Sequence, residues 1–187
     1  PFGKSGDFIT APEVSQMFGE LIGVWCTQTW KTMGSPQRVS LVEMGPGRGT
    51  LMKDLLRATS QSPTFANALE VHLVEVSARL RDIQNDVLGD ASITWHDNLN
   101  TVPTDIPVIL VSNELLDALP IRQFEHTIQG WCERLVDLSP TGHGFRFVLT
   151  KTPSLAAAML PAEVRAAPLG SVAEVSPASV ALIADIS

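Results

Sequence analysis

The chain of 187 residues has no tyrosine, only two cysteines, and thirteen basic residues against twenty acidic ones. Each shortage removes a class of function. Without Tyr, no phenol within the chain can serve as an acid or as a stacking platform. Cys26 and Cys132 lie far apart and show no C-x-x-C or Cys/His ligand spacing, which argues against a disulfide framework and against a structural zinc site. No metal is expected, and a reducing compartment fits. A formal charge of −7 with no Lys/Arg cluster gives no attraction to a phosphate backbone, so nucleic acid is not the expected partner. No run approaches the ~18 apolar residues needed to cross a bilayer, so no membrane association is expected. Pro1 to Asp7 lack the basic-then-apolar layout of a signal peptide. The chain opens without Met in what reads as the middle of a loop, so that last absence carries little weight.

What is present is the grammar of an α/β domain. A hydrophobic fraction of 44% supports a packed core, and the length suits one domain rather than two. Val14, Met17, Phe18, Leu21, Ile22 and Trp25 follow the i, i+3, i+4, i+7 rhythm of an amphipathic helix. Thr10-Ala11-Pro12-Glu13 before it has the form of a capping box, with Thr10 as N-cap and Glu13 reaching back. A short strand is predicted over 38–43, a helix marked by Leu51, Met52, Leu55 and Leu56, a strand over 70–76, and a helix marked by Leu80, Ile83, Val87 and Leu88. Ile93-Thr94-Trp95 reads as a third strand. The unbroken apolar run from Pro107 towards Ser112 suits a parallel strand covered on both faces. This alternation is a βαβαβ half of a doubly wound sheet. From Arg122 short alternating runs separated by Gln129-Gly130 and Pro140-Thr141-Gly142 predict an antiparallel meander over 122–150. The Ala-rich tail, interrupted by Pro161, Pro168 and Pro177, reads as broken helices. The expectation is a single, partial domain over 1–187, with the meander as an insertion and strands of the second half lying beyond both ends.

The chemistry concentrates after the first strand, in Glu43-Met44-Gly45-Pro46-Gly47-Arg48-Gly49-Thr50. Glycines at a strand-to-helix turn let the backbone bend sharply and approach a ligand, and the helix start offers free N–H groups. A dinucleotide fingerprint, G-x-G-x-x-G, would require glycine at position 50, where Thr50 stands. The observed G-x-G-x-G behind an acid resembles motif I of the Rossmann-like methyltransferases, whose loop wraps the amino-acid end of S-adenosylmethionine. That likeness implies that Gly45, Pro46, Gly47 and Gly49 line the cofactor while Glu43 serves its amino group through water. Glu75, 26 residues after Gly49, is placed to accept both ribose hydroxyls; as a residue type it also reads as a solvated strand-end carboxylate. Asp97 and Asn98 follow the third strand, where similar enzymes bind the adenine amino group, though each is also an ordinary turn residue. Asn113, Glu114 and Asp117 leave the carboxyl end of the fourth strand, where open sheets place their ligands, and either orient an acceptor nitrogen or cap a following helix. His72, His96, His126 and His143 share no spacing and read as packed or exposed residues.

Four segments together carry a closer resemblance. Gly6-Asp7-Phe8-Ile9-Thr10-Ala11-Pro12-Glu13, Glu43 through Leu51, Val74-Glu75-Val76-Ser77, and Asn113-Glu114-Leu115-Leu116-Asp117-Ala118-Leu119-Pro120 look like the MidA family, with Glu174-Val175-Ser176-Pro177-Ala178 also fitting. That family includes the mitochondrial complex I assembly methyltransferase and bacterial relatives. The likeness implies an S-adenosylmethionine-dependent protein arginine methyltransferase in the mitochondrial matrix or bacterial cytoplasm. Its implied substrate is a protein of the NADH:ubiquinone oxidoreductase subunit type. It further makes Thr10 and Glu13 candidates for lid contacts or guanidinium recognition, since Arg stays protonated and is held by carboxylates. Leu115-Leu116 stands where family members favour Phe-Phe. Two other readings stay open: an assembly factor with a vestigial cofactor site, and a nicotinamide-dependent oxidoreductase, against which Thr50 already speaks. The oligomeric state is not readable.

Overall fold

A computed structural model describes residues 9–186; Gly6, Asp7 and Phe8 of the N-terminal motif lie outside the described residues, as does the segment tested for a signal peptide. The chain divides into two compact units, Pro1–Asp117 and Ala118–Ser187.

In the first unit the order is α1 (Ala11–Val14), α2 (Gln16–Thr32), β1 (Val39–Met44), α3 (Thr50–Thr59), α4 (Pro63–Ala68), β2 (Leu69–Val74), α5 (Ala78–Leu88), β3 (Ile93–His96) and β4 (Val108–Ser112). The four strands form one parallel sheet in the order β3-β2-β1-β4. This is the α/β, Rossmann-like half sheet expected from the alternation. All six residues of β1 are buried, because it is hydrogen-bonded on both sides and covered on both faces. Val39 and Leu41 project into a core shared with Cys26, Trp30, Met52, Leu55, Phe65, Leu73 and Ile109. Trp30 lies 5.2 Å from the Phe65 ring and donates its indole N–H to the Pro36 carbonyl at 2.9 Å. Helix α4, with Phe65 and Ala68 buried, has no counterpart in the sequence reading; six residues are too few to show a helical period.

Three local expectations are corrected. The first helix is not continuous: Ser15, with φ −146° and ψ 121°, separates α1 from α2. Its buried stripe is also different. Gly19, Gly23, Cys26 and Trp30 face inward, whereas Val14, Met17, Leu21 and Trp25 are exposed. Close approach of α3 explains the switch. A Cβ at Gly19 would stand 2.6 Å from Asp54 Cβ, and one at Gly23 would stand 2.7 Å from the Leu55 carbonyl oxygen. The two glycines, one turn apart, are the groove into which α3 fits, so small residues outrank large apolar ones on that face. Third, β4 is an edge strand of the described sheet: Ile109 and Val111 are buried, but Val108 and Ser112 are exposed, so it is covered less fully than its apolar run predicts.

In the second unit β5 (Arg122–Thr127), β6 (Gly130–Leu138) and β7 (Phe145–Leu149) form the antiparallel meander. The tail is helical in the 3₁₀ turn Leu155–Met159, in α6 (Ala162–Arg165) and in α7 (Pro177–Ile186). Between the last two, however, β8 (Val172–Val175) pairs antiparallel with β5, giving the order β7-β6-β5-β8. Broken helices alone do not describe the tail, because Val172-Ala173-Glu174-Val175 is stabilised by an open edge of β5 that no local signal reveals. Phe124, Trp131, Ala157 and Leu160 make this unit's own small core. Among the described residues no helix is long and apolar enough to cross a membrane.

The α2–α3 groove yields a test with a sign that decides between two effects. An exposed helical glycine gains ~1 kcal/mol on substitution by alanine, but at Gly23 the new methyl would meet the Leu55 carbonyl oxygen and the Ala58 Cβ at 2.9 Å. Gly23→Ala is therefore expected to lower stability by about 1–3 kcal/mol, measured by urea unfolding. A stabilised variant would show that the groove has slack.

Candidate functional site

Parallel strands all end at the same edge of a sheet, so the loops after β1, β2, β3 and β4 are neighbours by construction. Those loops carry Glu43 to Gly49, Glu75, Asp97-Asn98 and Asn113-Glu114.

The first is the glycine loop. Gly45, Gly47 and Gly49 all have positive φ, at 65°, 53° and 84°. Two of them differ in their surroundings. A Cβ at Gly49 would make only ordinary contact with Gln84, at 3.4 Å, so its left-handed φ and not lack of space calls for glycine there; around Gly47 nothing stands within 4 Å. Gly47 thus combines a left-handed backbone with open space in front of it, as turn glycines such as Gly34 and Gly89 also do, so it leaves room at this edge without by itself marking a site. Pro46 is buried, and the Gly49 N–H donates to its carbonyl at 2.8 Å, tightening the turn into α3.

Glu43, the penultimate residue of β1, is 2% exposed. Burial drives its carboxyl up to about 8, and the Met52 N–H in the first turn of α3 offsets only part of that. Oε2 has no hydrogen-bond partner among the described residues. A carboxyl held neutral in this way can donate as well as accept, so Oε2 keeps hydrogen-bonding capacity beside the loop.

Glu75, just beyond β2, is 8% exposed and held from several directions. Its N–H donates to the His96 carbonyl at 3.0 Å, Oε1 accepts from the Ser77 N–H at 2.8 Å, and Oε2 accepts from Gln84 Nε2 at 3.3 Å. Arg81 Nε donates to the Glu75 carbonyl at 2.8 Å and Arg81 Nη2 to Asp97 Oδ1 at 2.7 Å, clamping the loop after β2 to the loop after β3. Asp97 is accordingly an exposed but ion-paired carboxylate, and Asn98 begins the 3₁₀ turn Leu99–Thr101.

That turn is anchored to the sheet through two buried histidines. Thr101 Oγ1 donates to the Asn98 carbonyl at 3.0 Å, which leaves it to accept from His96 Nδ1 at 2.9 Å; His96 Nε2 then accepts from His72 Nδ1 at 3.0 Å. Both imidazoles are held below the usual histidine range, first by burial; the neighbouring His96 adds to this for His72 and the Arg81 guanidinium for His96. They are neutral hydrogen-bonding struts.

On the other side of β1, Ser112 Oγ donates to the Met44 carbonyl at 3.3 Å and the Leu115 side chain lies over Gly45. Between them stand Asn113 and Glu114. Glu114 is exposed and, with Ser35, is one of two described non-glycine residues with positive φ, at 50°. A left-handed backbone costs a non-glycine residue of order 1 kcal/mol, a strain typical of functional turns. Asp117 is further along, exposed in the 3₁₀ turn Leu116–Ala118.

The capping box does not form. Thr10 occupies the N-cap position without a side-chain cap bond, and the Glu13 carboxylate instead accepts from Thr50 Oγ1 at 2.7 Å, across to the first residue of α3. A partner 37 residues away outcompetes the local one, and it brings α1 to the end of α3 that follows the glycine loop. Arg81 and Gln84 are the residues that sequence reasoning missed. Gln84 did leave a signal: it falls between Leu80 and Leu88 on the apolar stripe of α5, where a polar residue needs a partner.

Known proteins resemble this chain in sequence and fold. Residues 21–187 match a family described as "Putative S-adenosyl-L-methionine-dependent methyltransferase". Proteins named protein arginine methyltransferase NDUFAF7, mitochondrial, are similar. The zebrafish (Danio rerio) protein is 40% identical over 181 residues, covering 84% of this chain and 43% of its own length, and the human (Homo sapiens) protein is 38% identical over 183 residues, covering 84% and 41%. The chain thus spans less than half the length of these relatives. A Burkholderia thailandensis crystal structure, described as "a COG1565 superfamily member and likely methyl transferase" bound to S-adenosyl-homocysteine, superposes with a TM-score of 0.78 at 31% identity, over 97% of this chain and 46% of that one.

The buried carboxyl at Glu43 makes stability depend on pH in a definite direction. Its folded-state value, about 8, lies above the ordinary 4.5, so its stabilising contribution is complete below 4.5 and is lost as pH rises through 8. Glu43→Gln keeps the shape and removes the titration. Its stability relative to the parent, from urea unfolding, is expected to rise between pH 5 and pH 8.5 at up to about 1.4 kcal/mol per pH unit. A pH-independent difference would mean that Glu43 is charged throughout.

Proposed function

Because the chain belongs to this family of S-adenosyl-L-methionine-dependent methyltransferases, we propose that the carboxyl edge of its parallel sheet binds S-adenosylmethionine and that the whole protein transfers the methyl group to arginine of a protein substrate. One observation carries the reading: Gly47 leaves open space at a left-handed turn, on the same edge as a buried acid, Glu75, already oriented by two donors. The residues fit such a cofactor. Backbone from Gly45 to Gly49 approaches its amino-acid end, and the unpaired Oε2 of Glu43 accepts from the ammonium group through water. Glu75 has lone pairs left for two ribose hydroxyls, and Asp97 and Asn98, after β3, are the proposed partners of the adenine amino group.

Bound there, S-adenosylmethionine supplies an electrophilic methyl group on sulfur. The chain's part is positioning, which is the larger share of catalysis for an in-line displacement. Asn113 and Glu114, on the strained turn beside Gly45, present polar groups to an acceptor at that edge. Glu114, Asp117 and Glu13 are the carboxylates that would grasp a guanidinium, whose planar N–H fork suits paired acceptors. Thr10 sits at the start of α1, which Glu13 ties to α3, and is proposed to contact the cofactor from that side. The names of the mitochondrial relatives support a protein substrate; a complex I subunit in the mitochondrial matrix, or a counterpart in a bacterial cytoplasm, is the substrate we propose.

Gly47→Val places a β-branched side chain at φ 53° and fills the open space. In the full-length protein it is expected to abolish calorimetric binding of S-adenosylhomocysteine and incorporation of labelled methyl into protein arginine. Binding that survives this substitution would remove the loop from the site. Binding without any methyl incorporation in the parent protein would favour an assembly factor over an enzyme.

A further inference from the structure

Gln84 is fully buried in α5, and its amide is saturated. Trp95 Nε1 donates to Oε1 at 2.9 Å, while Nε2 donates to the Gly47 carbonyl at 2.8 Å and to Glu75 Oε2 at 3.3 Å. An indole N–H can only donate, so Trp95 settles which end of the amide is oxygen and turns both N–H groups towards the loop and the acid. The side chain has no exposed surface, so it is enclosed as well as hydrogen-bonded.

This one rigid amide therefore sets the spacing between the loop after β1 and the acid after β2. Under the S-adenosylmethionine reading those two places hold opposite ends of one ligand, the amino-acid end at Gly47 and the ribose at Glu75. We propose that Gln84 is a positioning residue that couples the two halves of the cofactor site, with Trp95 locking its orientation; this rests on the cofactor reading of the same site. A ligand spanning both halves gains from a fixed distance between them, because no binding energy is spent on ordering one half relative to the other. A ligand touching only the ribose half gains little. Glu75 keeps its Ser77 N–H and its Arg81 clamp whether or not Gln84 is present.

The test compares S-adenosylhomocysteine, which spans both halves, with 5′-methylthioadenosine, which has the adenosine but no amino acid. Calorimetry on the full-length protein would measure both ligands with the parent, Gln84→Met and Trp95→Phe. A parent that binds neither overturns the cofactor reading and the coupling with it. With a parent that binds, Gln84→Met is expected to weaken S-adenosylhomocysteine roughly tenfold or more, the cost of losing hydrogen bonds at a buried acid and carbonyl. It should weaken 5′-methylthioadenosine less than about threefold. Equal loss for both ligands, or no loss for either, would make Gln84 a packing residue and leave the cofactor reading standing. If Gln84→Met fails to fold, Trp95→Phe decides by the same comparison, since it keeps an aromatic ring at the site while removing the N–H that orients the amide.

Discussion

β1 runs between two parallel neighbours with every side chain buried, and this placement sets the terms for the rest of the first unit. A strand so enclosed has no surface on which to do chemistry except at its end. There the backbone must leave the sheet, turn and enter α3, and three positive-φ glycines accomplish that turn. Parallel pairing brings the ends of β2, β3 and β4 to the same edge. Met44 and Ser112, 68 positions apart in the chain, thereby become neighbours without any need for long loops.

The edge is built from polar groups that bear on one another. Arg81 joins the loops after β2 and β3, Gln84 joins the loops after β1 and β2, and the His72–His96–Thr101 chain fastens the turn after β3 to the sheet. The buried members of this network, at Gln84, Glu75 and the two histidines, add little net stability per bond but resist displacement, since breaking their bonds leaves desolvated groups unpaired, whereas the Arg81–Asp97 pair is exposed. Glu43 Oε2, Ser40 Oγ and His72 Nε2 are exceptions among the described residues, buried without a partner, and at Glu43 the cost shows as a raised pKa beside the glycine loop. The strained backbone of Glu114 across β1 has the same character.

Local pattern accounts for the elements that were readable. The strand and helix alternation, the meander and the glycine loop all rest on periods and turn residues acting within about ten positions, and each appears in the structure. Elements whose stability comes from a distant partner were not readable. β8 exists because β5 has an open edge, α4 because Phe65 fits beneath Trp30, and the inward face of α2 is chosen by α3 rather than by its own apolar residues. Glu13 misled for the same reason, a correct local signature being overridden by Thr50.

The sequence by itself determined the α/β class, the order of the strands' loops and the identity of the acids and glycines on the site edge, since these follow from spacing and from what a glycine or carboxylate can do. Only the tertiary structure decided how those residues are held. Gln84 and Arg81 lie on a helix whose pattern shows merely that it packs, and their roles arise where α5 passes the ends of two strands. Hydrogen bonds between groups 9 and 37 residues apart leave no periodic trace in a sequence, because the distance that makes them is one the fold, not the chain, sets.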